Sequence, residues 1–519
     1  MAPSGPPRTL PTAGPPATSH PVNGRAARGT HKHSLFRDYF QGVIVKRFFD
    51  VKLAQTSYLI ACGQAGVAVV IDPIRDVEEY VRAADAEHVQ ITHVTETHIH
   101  ADFVSGAKAL ARRTGASLLL SDEGDANWKY AYAKAAGAVL LKDGHEFMVG
   151  NIRVRVVHTP GHTPEHIAFL ITDTAAADEP IGIVTGDFVF VGDVGRPDLL
   201  ERAARFEGTM ESAARTLFQS LQKFKAYPDW LQIWPGHGAG SACGKGLSSV
   251  PHSTVGYEKR FNWAFSISDE ATFVRAVLEG QPEPPAYFAQ MKRINKEGPA
   301  PFDATHRPPA AGLDELRAAL GNGTLVVDTR PAAQFAARHI AGTINIPLNR
   351  SFNTWAGSLV PFDRDFYLIA DDSAVGEAVR ELAMVGLDRV IRVIGTTVFV
   401  EWVLAGGTVE TVPQITATDL AARIASGDAA VVDVRGQSEW LEGHIPGAPN
   451  IPLGLLPDRL SEMPQATTLV LQCKGGGRSS IASSLLLARG LRVANLSGGF
   501  EAWEAAGLPV ESPAGAPTT

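Results

Sequence analysis

The sequence feature that most restricts the fold is an internal repeat in the carboxyl-terminal part of the chain. The segment VVDTRPAAQFAARHIAGTINIPL begins at Val326, and VVDVRGQSEWLEGHIPGAPNIPL begins at Val431. They align without a gap at an offset of 105 residues, and 11 positions are identical. Each period is long enough to form a domain of its own rather than one unit of a solenoid. The repeat therefore predicts two copies of one α/β unit, over 313–412 and 413–512.

The part of the chain before the repeat is predicted to form one further domain. At 519 residues, the chain is long enough for about three domains. Over 36–265, short runs of β-branched residues alternate with Gly, Asp and His, which predicts strands with helices between them. A Pro-rich stretch within 266–312 predicts a linker. Residues 1–35 are rich in proline and lack acidic residues, which predicts a disordered tail; an organelle transit segment is the alternative, although prolines oppose its amphipathic helix.

The overall composition narrows the function classes. A net charge of -8 argues against a general affinity for nucleic acid or for anionic membranes. No apolar run approaches the roughly 20 residues that a membrane-spanning helix needs. The three cysteines, Cys62, Cys243 and Cys473, are far apart and do not indicate a disulfide framework, so a cytoplasmic location is expected. The sequence leaves open whether copies of the chain form a homo-oligomer.

Metal-ligating residue types follow several of the predicted strands in the first half. They occur in three segments: THIHADF with His98, His100 and Asp102, TPGHTPEH with His162, and TGDFVF with Asp187. Loops at strand ends are where α/β proteins tend to place reactive groups. Neutral imidazoles and a carboxylate suit divalent transition metals. These motifs together predict a metal site.

The order HxHxD, PGHT, TGD and PGHG resembles the metallo-β-lactamase superfamily, which implies an αββα sandwich over 36–265. Most hydrolases of that superfamily hold two metal ions, and the second ion needs a histidine directly after the aspartate of the first motif. Here Phe103 stands in that place and cannot ligate a metal. A binuclear site is therefore weakened, and Asp102 and His237 would be remnants of it.

Within the superfamily, the chain is most similar to the persulfide dioxygenases. This resemblance implies one Fe(II) per chain, held by His98, His162 and Asp187. It leaves His100, Asp102 and His237 in supporting positions. Two histidines and one carboxylate leave positions open for O2 and substrate.

Two further segments match this family, VGDVGRPDL and PGHGAGSACGK. The resemblance implies that they lie near the substrate, which would make substrate-binding residues of Arg196, Asp198, Cys243 and Lys245. Arginine suits the carboxylate of a thiol such as glutathione. Cys243 is either a small buried filler or an accessible thiol whose pKa Lys245 would lower.

The second copy of the repeat contains the segment LVLQCKGGGRSSIAS. A predicted strand ends at Cys473, a Gly-rich loop follows, and Arg478 lies where a helix is predicted to begin. Such a loop turns backbone N–H groups toward one point, which stabilises a thiolate or an anionic persulfide. This copy resembles a rhodanese domain, which implies that Cys473 is the sulfur-transfer nucleophile and Arg478 a charge partner.

The first copy lacks these residues. Its corresponding segment is FYLIADDSAVGEAVREL, with Asp371 in the place of Cys473 and Gly376 or Glu377 in the place of Arg478. An aspartate cannot carry sulfane sulfur. The first copy is therefore predicted to be a catalytically silent rhodanese-like domain.

The whole chain is predicted to be an α/β protein in which a metallo-β-lactamase αββα sandwich is followed by two rhodanese-like α/β domains. This order resembles the fusions of persulfide dioxygenases with rhodaneses. It implies oxidation of a low-molecular-weight thiol persulfide by O2 to sulfite and thiol, coupled to sulfur transfer between thiosulfate, sulfite and persulfides in sulfide detoxification. Two alternatives remain, a glyoxalase-II-like thioester hydrolase and a scaffold whose rhodanese domain only binds or signals.

Overall fold

Two six-stranded sheets face each other in the first half of the chain. The computed structural model describes residues 42–199, 208–303, 305–464 and 468–512, so the predicted tail lies outside the described residues. The first sheet contains, in spatial order, β1 (Val43–Asp50), β2 (Gln55–Cys62), β3 (Val67–Ile71), β4 (Gln90–Thr95), β5 (Ser117–Ser121) and β6 (Val139–Leu141). The second contains, from the opposite edge, β12 (Ser253–Thr254), β11 (Gln232–Pro235), β10 (Gly182–Gly186), β9 (Ile167–Asp173), β8 (Ile152–His158) and β7 (Glu146–Val149).

Apolar side chains on the central strands point alternately to the two faces of the sheet. This explains why each sheet packs against the other sheet on one face and against helices on the other. On β2, Tyr58 and Ile60 join the core between the two sheets, whereas Leu59 and Ala61 join the core on the outer face. Successive side chains of a strand point to opposite faces, so a strand buried on both faces is apolar throughout. Among the described residues of this half, the helices are α1 (Glu78–Ala86), α2 (Ala107–Thr114), α3 (Met210–Phe224), α4 (Val255–Phe261) and α5 (Trp263–Ser266), with a 3-10 turn over Ala126–Trp128.

The outer faces of both sheets carry helices. Tyr80 of α1 and Leu110 of α2 lie in the outer core of the first sheet, and Leu217 of α3 lies in that of the second. The predicted αββα sandwich is thereby confirmed. Within the described ranges, none of the helices combines the length and the apolar character that crossing a bilayer requires.

The predicted linker over 266–312 contains two packed helices, α6 (Glu270–Leu278) and α7 (Phe288–Glu297). Phe288 and Met291 are at most 1% exposed and belong to a core shared with the first half and with the repeat. The segment 266–312 therefore contains helices that pack into this core, and its assignment as a linker stays a prediction.

The two copies of the repeat have the same parallel sheet. The first copy (313–412) orders its strands β15-β13-β16-β17, and the second copy (413–512) orders its strands β19-β22-β21-β20. The first contains α8 (Leu313–Gly321), β13 (Leu325–Asp328), α9 (Ala332–Ala337), β14 (His339–Ile340), β15 (Ile344–Asn345), α10 (Phe352–Leu359), β16 (Phe366–Ala370), α11 (Val375–Met384), β17 (Val390–Gly395), α12 (Val398–Leu404) and β18 (Val409–Glu410). The second contains β19 (Gln414–Ile415), α13 (Ala417–Ala425), β20 (Ala430–Asp433), α14 (Gln437–Glu442), two 3-10 turns (Leu453–Asp458 and Leu460–Glu462), β21 (Leu469–Gln472), α15 (Gly477–Leu487), β22 (Val493–Leu496) and α16 (Gly499–Ala505).

Arg75 connects the first half of the chain to the first copy of the repeat through hydrogen bonds. Its side chain is 3% exposed and donates to both carboxylate oxygens of Asp388, at 2.6 and 2.8 Å. It also donates to the backbone carbonyls of Ala383, at 2.7 Å, and Ala300, at 3.2 Å. One buried guanidinium thus joins the sandwich, the predicted linker and the repeat.

Replacing this guanidinium tests its contribution to stability. We expect Arg75→Leu to lower the free energy of unfolding by about 2 to 3 kcal/mol, because the Ala383 carbonyl would lose its charged donor. The matched control is Arg113→Leu, which removes an ion pair with Glu78 whose side chains are 53% and 40% exposed. Such exposed pairs contribute about 0 to 1 kcal/mol. Urea unfolding of both variants measures the difference, and equal small losses would contradict the interpretation.

Candidate metal centre and sulfur-transfer site

The predicted ligands His98, His162 and Asp187 lie together at one edge of the sandwich. His98 follows β4, His162 follows β8, and Asp187 follows β10. Their ligand atoms all lie within 4.8 Å of one another. Oδ2 of Asp187 is 4.0 Å from Nε2 of His98 and 3.5 Å from Nε2 of His162. The three side chains are nearly inaccessible to solvent.

Hydrogen bonds on the far side of each ring aim both imidazoles. Nδ1 of His162 is 3.0 Å from the backbone carbonyl of Arg196, and Nδ1 of His98 is 3.0 Å from Oγ1 of Thr97. The Thr97 hydroxyl in turn donates to Asp72. These bonds leave Nε2 of each ring facing Asp187, as for metal-ligating histidines. Burial lowers the pKa of both histidines, which favours the neutral imidazole that binds metals.

The carboxylate of Asp187 is buried without an aligned donor. Among the described residues, neither of its oxygens accepts a hydrogen bond. Burial raises its pKa, but His237 and His98 outweigh burial and hold the pKa well below its usual range. A Cβ at Gly236 would lie 2.7 Å from Oδ1, so the glycine leaves the carboxylate its space. A buried anion between two neutral imidazoles fits a divalent cation.

His100 lies beside this group rather than in it. Its Nε2 is 3.1 Å from Oδ1 of Asp72, and its ring packs at 4.5 Å against the ring of Phe103. Burial opposes protonation, but Asp72 prevails and raises the pKa of His100 to about 9. Its nitrogens do not belong to the group of donor atoms formed by His98, His162 and Asp187. The supporting position expected for His100 stays a prediction that this geometry favours.

The thiol of Cys473 lies at the end of β21, in a loop of the second copy. The backbone N–H of Gly476 donates to Sγ at 3.1 Å, and the hydroxyl of Ser479 donates to it at 3.4 Å. Gly476 has a φ of +95°, which favours glycine and turns its N–H toward the sulfur. The cleft beside the thiol has a volume of about 450 Å³. It is lined by both copies, with Thr329, Asn349 and Trp355 from the first and Gly475, Arg478 and Ile481 from the second.

Arg478 forms a two-pronged ion pair with Glu439, at 2.6 and 2.7 Å. Burial raises the pKa of this carboxyl, but the guanidinium outweighs it and lowers the pKa below its usual range. Glu439 was not predicted from the sequence, although the repeat contained the signal. The first copy has Gln334 at the equivalent position and Gly376 in the place of Arg478. The first copy therefore lacks both members of this ion pair as well as the cysteine.

Comparison with models of protein families assigns a family to each half of the chain. A family model for the metallo-beta-lactamase superfamily matches residues 51–237, and one for the rhodanese-like domain matches 312–400 and 416–506. A solved metallo-beta-lactamase from Staphylococcus aureus subsp. aureus COL is 43% identical with a TM-score of 0.64, over 68% of this chain and 99% of that one. The chain belongs to the metallo-beta-lactamase superfamily and carries two rhodanese-like domains.

Two curated relatives match shorter parts of the chain. A beta-lactamase hydrolase-like protein of Xylella fastidiosa (strain 9a5c) is 31% identical over 46% of this chain, which covers 56% of that relative. The chain therefore spans little more than half of that protein's length. A sulfurtransferase of Allochromatium vinosum (strain ATCC 17899) is 40% identical over 20% of this chain and 99% of its own length.

A second group of donors lies next to the first. Ligand atoms of Asp102, His237 and Cys243 lie within 4.8 Å of one another. Nε2 of His237 is 3.2 Å from Asp102 and 3.3 Å from Asp187, while its Nδ1 is 2.9 Å from the Ala54 carbonyl. The thiol of Cys243 thus lies beside the donors predicted to be remnants.

Of the two interpretations of Cys243, the accessible thiol with a lowered pKa is wrong. Burial, followed by the charge of Asp187, raises the pKa of this thiol to about 12. Lys245 does not assist it, because its ammonium contacts the backbone carbonyls of Ala276 and Glu279 and lies 4.5 Å from the Trp263 ring centroid. The predicted substrate contact of Lys245 stays a prediction.

Arg196 and Asp198 form an internal ion pair. Both are fully buried, and the guanidinium donates two hydrogen bonds of 2.7 Å to the carboxylate. It also donates to the Ala242 carbonyl at 3.1 Å. Since the Arg196 carbonyl contacts His162, the pair stiffens the loop behind a predicted ligand. Binding of a substrate carboxylate by Arg196 would have to compete with Asp198, and it stays a prediction.

Metal content tests the ligand assignment. We expect His162→Gln to lower metal affinity by at least about 100-fold, because losing an outer partner of a ligand already costs about 10- to 100-fold. His145→Gln is the control, since His145 is exposed and lies outside both donor groups. Elemental analysis after desalting measures the bound metal. Equal metal content in the two variants would contradict the assignment.

The silent character of the first copy can be tested by restoring its cysteine. We expect Asp371→Cys, made together with Cys473→Ser, to show no thiosulfate sulfurtransfer above background. The new thiol would lack the glycine loop and the Glu439 and Arg478 pair of the second copy. Cyanide-dependent thiocyanate formation measures the activity, with the unmodified chain as reference. Recovery of more than about a tenth of that rate would contradict this interpretation.

Proposed function

We propose that this protein oxidises a low-molecular-weight thiol persulfide, such as glutathione persulfide, with O2, and that it transfers sulfane sulfur at Cys473. The observation that carries the proposal is the donor set of His98, His162 and Asp187. Two imidazoles and one carboxylate form the set that suits Fe(II) in oxygenases and leaves positions open for two reactants. A second site for sulfur chemistry in the same chain supports a sulfur-containing substrate.

The protein would contribute orientation, charge and exclusion of water. Fe(II), when bound, would supply the redox chemistry toward O2 that zinc lacks. His162 and His98 would be held by Arg196 and Thr97, and Asp187 would balance the charge. In the net reaction, one persulfide, one O2 and one water yield one thiol and one sulfurous acid, which ionises to sulfite. The buried surroundings of the three side chains would keep bulk solvent from the reacting sulfur.

Sulfur transfer would take place in the cleft between the two copies. The Cys473 thiolate attacks the outer sulfur of thiosulfate, the S–S bond breaks, and sulfite leaves with the electron pair. The N–H of Gly476 and the hydroxyl of Ser479 then face the resulting cysteine persulfide. A thiol or sulfite accepts the outer sulfur in the reverse sense. Sulfite and persulfide are shared by both reactions, so the two sites can operate in either order.

A second candidate is hydrolysis of a glutathione thioester at a binuclear centre. The donors Asp102, His237 and Cys243 favour it, because they could hold a second ion beside Asp187. The name of the Xylella relative, a hydrolase-like protein, points the same way. Against it, Phe103 replaces the histidine on which the second ion of such hydrolases depends. The metal count separates the two candidates.

Oxygen uptake tests the proposal. With glutathione persulfide, we expect about one O2 consumed per persulfide and about one iron per chain, whereas a glutathione thioester should cause no oxygen uptake. Cys473→Ser should retain oxygen uptake and lose thiosulfate sulfurtransfer, while His162→Gln should show the opposite pattern. Two zinc ions per chain together with thioester hydrolysis would overturn the proposal in favour of the second candidate.

A further inference from the structure

One side chain from outside both matched families holds the backbone of the first metal motif. Nδ2 of Asn295 donates to the carbonyl of His100 at 2.8 Å and to that of Phe103 at 2.7 Å. Its Oδ1 accepts from the N–H of Ser105 at 2.9 Å. A single amide thereby satisfies three backbone groups of the turn 100–105. Asn295 is 1% exposed, so water cannot take its place.

The amide of Asn295 belongs to a helix that neither family model covers. Asn295 lies on α7, between the metallo-beta-lactamase match that ends at 237 and the rhodanese match that begins at 312. The next group of the same turn is held by the first copy, because the N–H of Val104 donates to the carbonyl of Met384 at 2.8 Å. The turn is thus fixed from the carboxyl-terminal half of the chain.

The turn carries a side chain of the metal centre. Asp102 lies between the two carbonyls that Asn295 holds, and its Oδ2 is 3.2 Å from Nε2 of His237. His237 in turn lies 3.3 Å from Asp187. At its other end, the turn begins two residues after His98. Movement of the backbone between 100 and 105 would displace the Asp102 carboxylate and loosen the His98 loop.

We propose that Asn295 is a positioning residue of the metal centre, which transmits the packing of α7 and the first copy to the motif of His98 and Asp102. The inference rests on the proposed function only in assuming that His98, His162 and Asp187 bind a metal. The amide is specific for this role, because two carbonyls require two N–H donors from one atom. A carboxylate of the same shape offers none and would repel both carbonyl oxygens.

The test uses Asn295→Asp in the full chain, loaded with Co(II) as a spectroscopic probe. We expect Co(II) to dissociate to a chelator at least about tenfold faster than from the unmodified protein, as when outer partners of a metal site are lost. We also expect a changed visible absorption spectrum of the bound Co(II). Sulfurtransfer at Cys473, measured on the same sample, reports that the repeat remains folded.

Asn345→Asp is the matched control. Asn345 is fully buried in the first copy, and its Nδ2 also bridges two backbone carbonyls, those of Asp328 at 2.8 Å and Arg330 at 2.9 Å. It touches no part of the turn 100–105 by hydrogen bond among the described residues. This variant should lose thermal stability to a similar degree while its Co(II) release and spectrum stay unchanged.

The outcomes distinguish this inference from the proposed function. If Asn295→Asp loses stability as Asn345→Asp does but keeps the Co(II) properties of the unmodified protein, Asn295 is merely structural and the inference falls. If the unmodified protein binds metal at His98, His162 and Asp187 but does not oxidise persulfides, the proposed function falls while the inference stands. Should Asn295→Asp not fold, Asn295→Ser keeps one hydroxyl donor, and an intermediate Co(II) release rate is then expected. Release at the unmodified rate would overturn the inference.

Discussion

The buried carboxylate of Asp187 is the constraint on which the first half of the structure depends. An ionised group out of contact with water costs several kcal/mol unless charges or donors compensate it. Here the described residues align no donor with it and surround it with His98, His162 and His237 instead. The strand ends that carry these rings must therefore meet at one point. The opposing sheets achieve this because β4 belongs to one and β8, β10 and β11 to the other.

The first copy of the repeat differs from the second mainly around the loop that corresponds to Cys473. It retains the ion pair of its strand, Asp328 with Arg330, which matches Asp433 with Arg435 in the second copy. These pairs hold the domain together and are independent of sulfur chemistry. The positions around the reactive loop have changed instead. At the start of α11, Glu377 forms a 2.6 Å ion pair with Lys52 of the sandwich.

The same helix makes further ion pairs with the first half of the chain. Arg380 of α11 forms ion pairs with Asp76, at 2.9 Å, and Asp50, at 3.7 Å, both in the first half. In the second copy the corresponding helix begins at the Cys473 loop, next to an open cleft. The same end of the helix is thus a domain contact in the first copy and part of a cleft in the second.

Local patterns made much of the fold and part of the candidate site predictable. The alternation on β2 and the repeat could be recognised because burial in a strand has a period of two residues. A metal site could be predicted because its motifs each follow a strand, and the resemblance to the persulfide dioxygenases selected His98, His162 and Asp187 as ligands. Asn295 could not, since its partners lie some 190 residues away and nothing around it marks a site. The cluster of Cys243 with Asp102 was also missed, because it requires two loops on different sheets to meet.

The first copy also joins the two candidate sites physically. Asn349 lines the cleft of Cys473, while the neighbouring Arg350 reaches the carbonyl of Ala239 at 3.5 Å, two residues after His237. A displacement of this loop would therefore move residues next to both candidate sites. The second copy obtains more than half of the residues that line its cleft from the first copy, and the metal motif obtains a hydrogen bond from Met384. The first copy therefore contributes structure to both candidate sites.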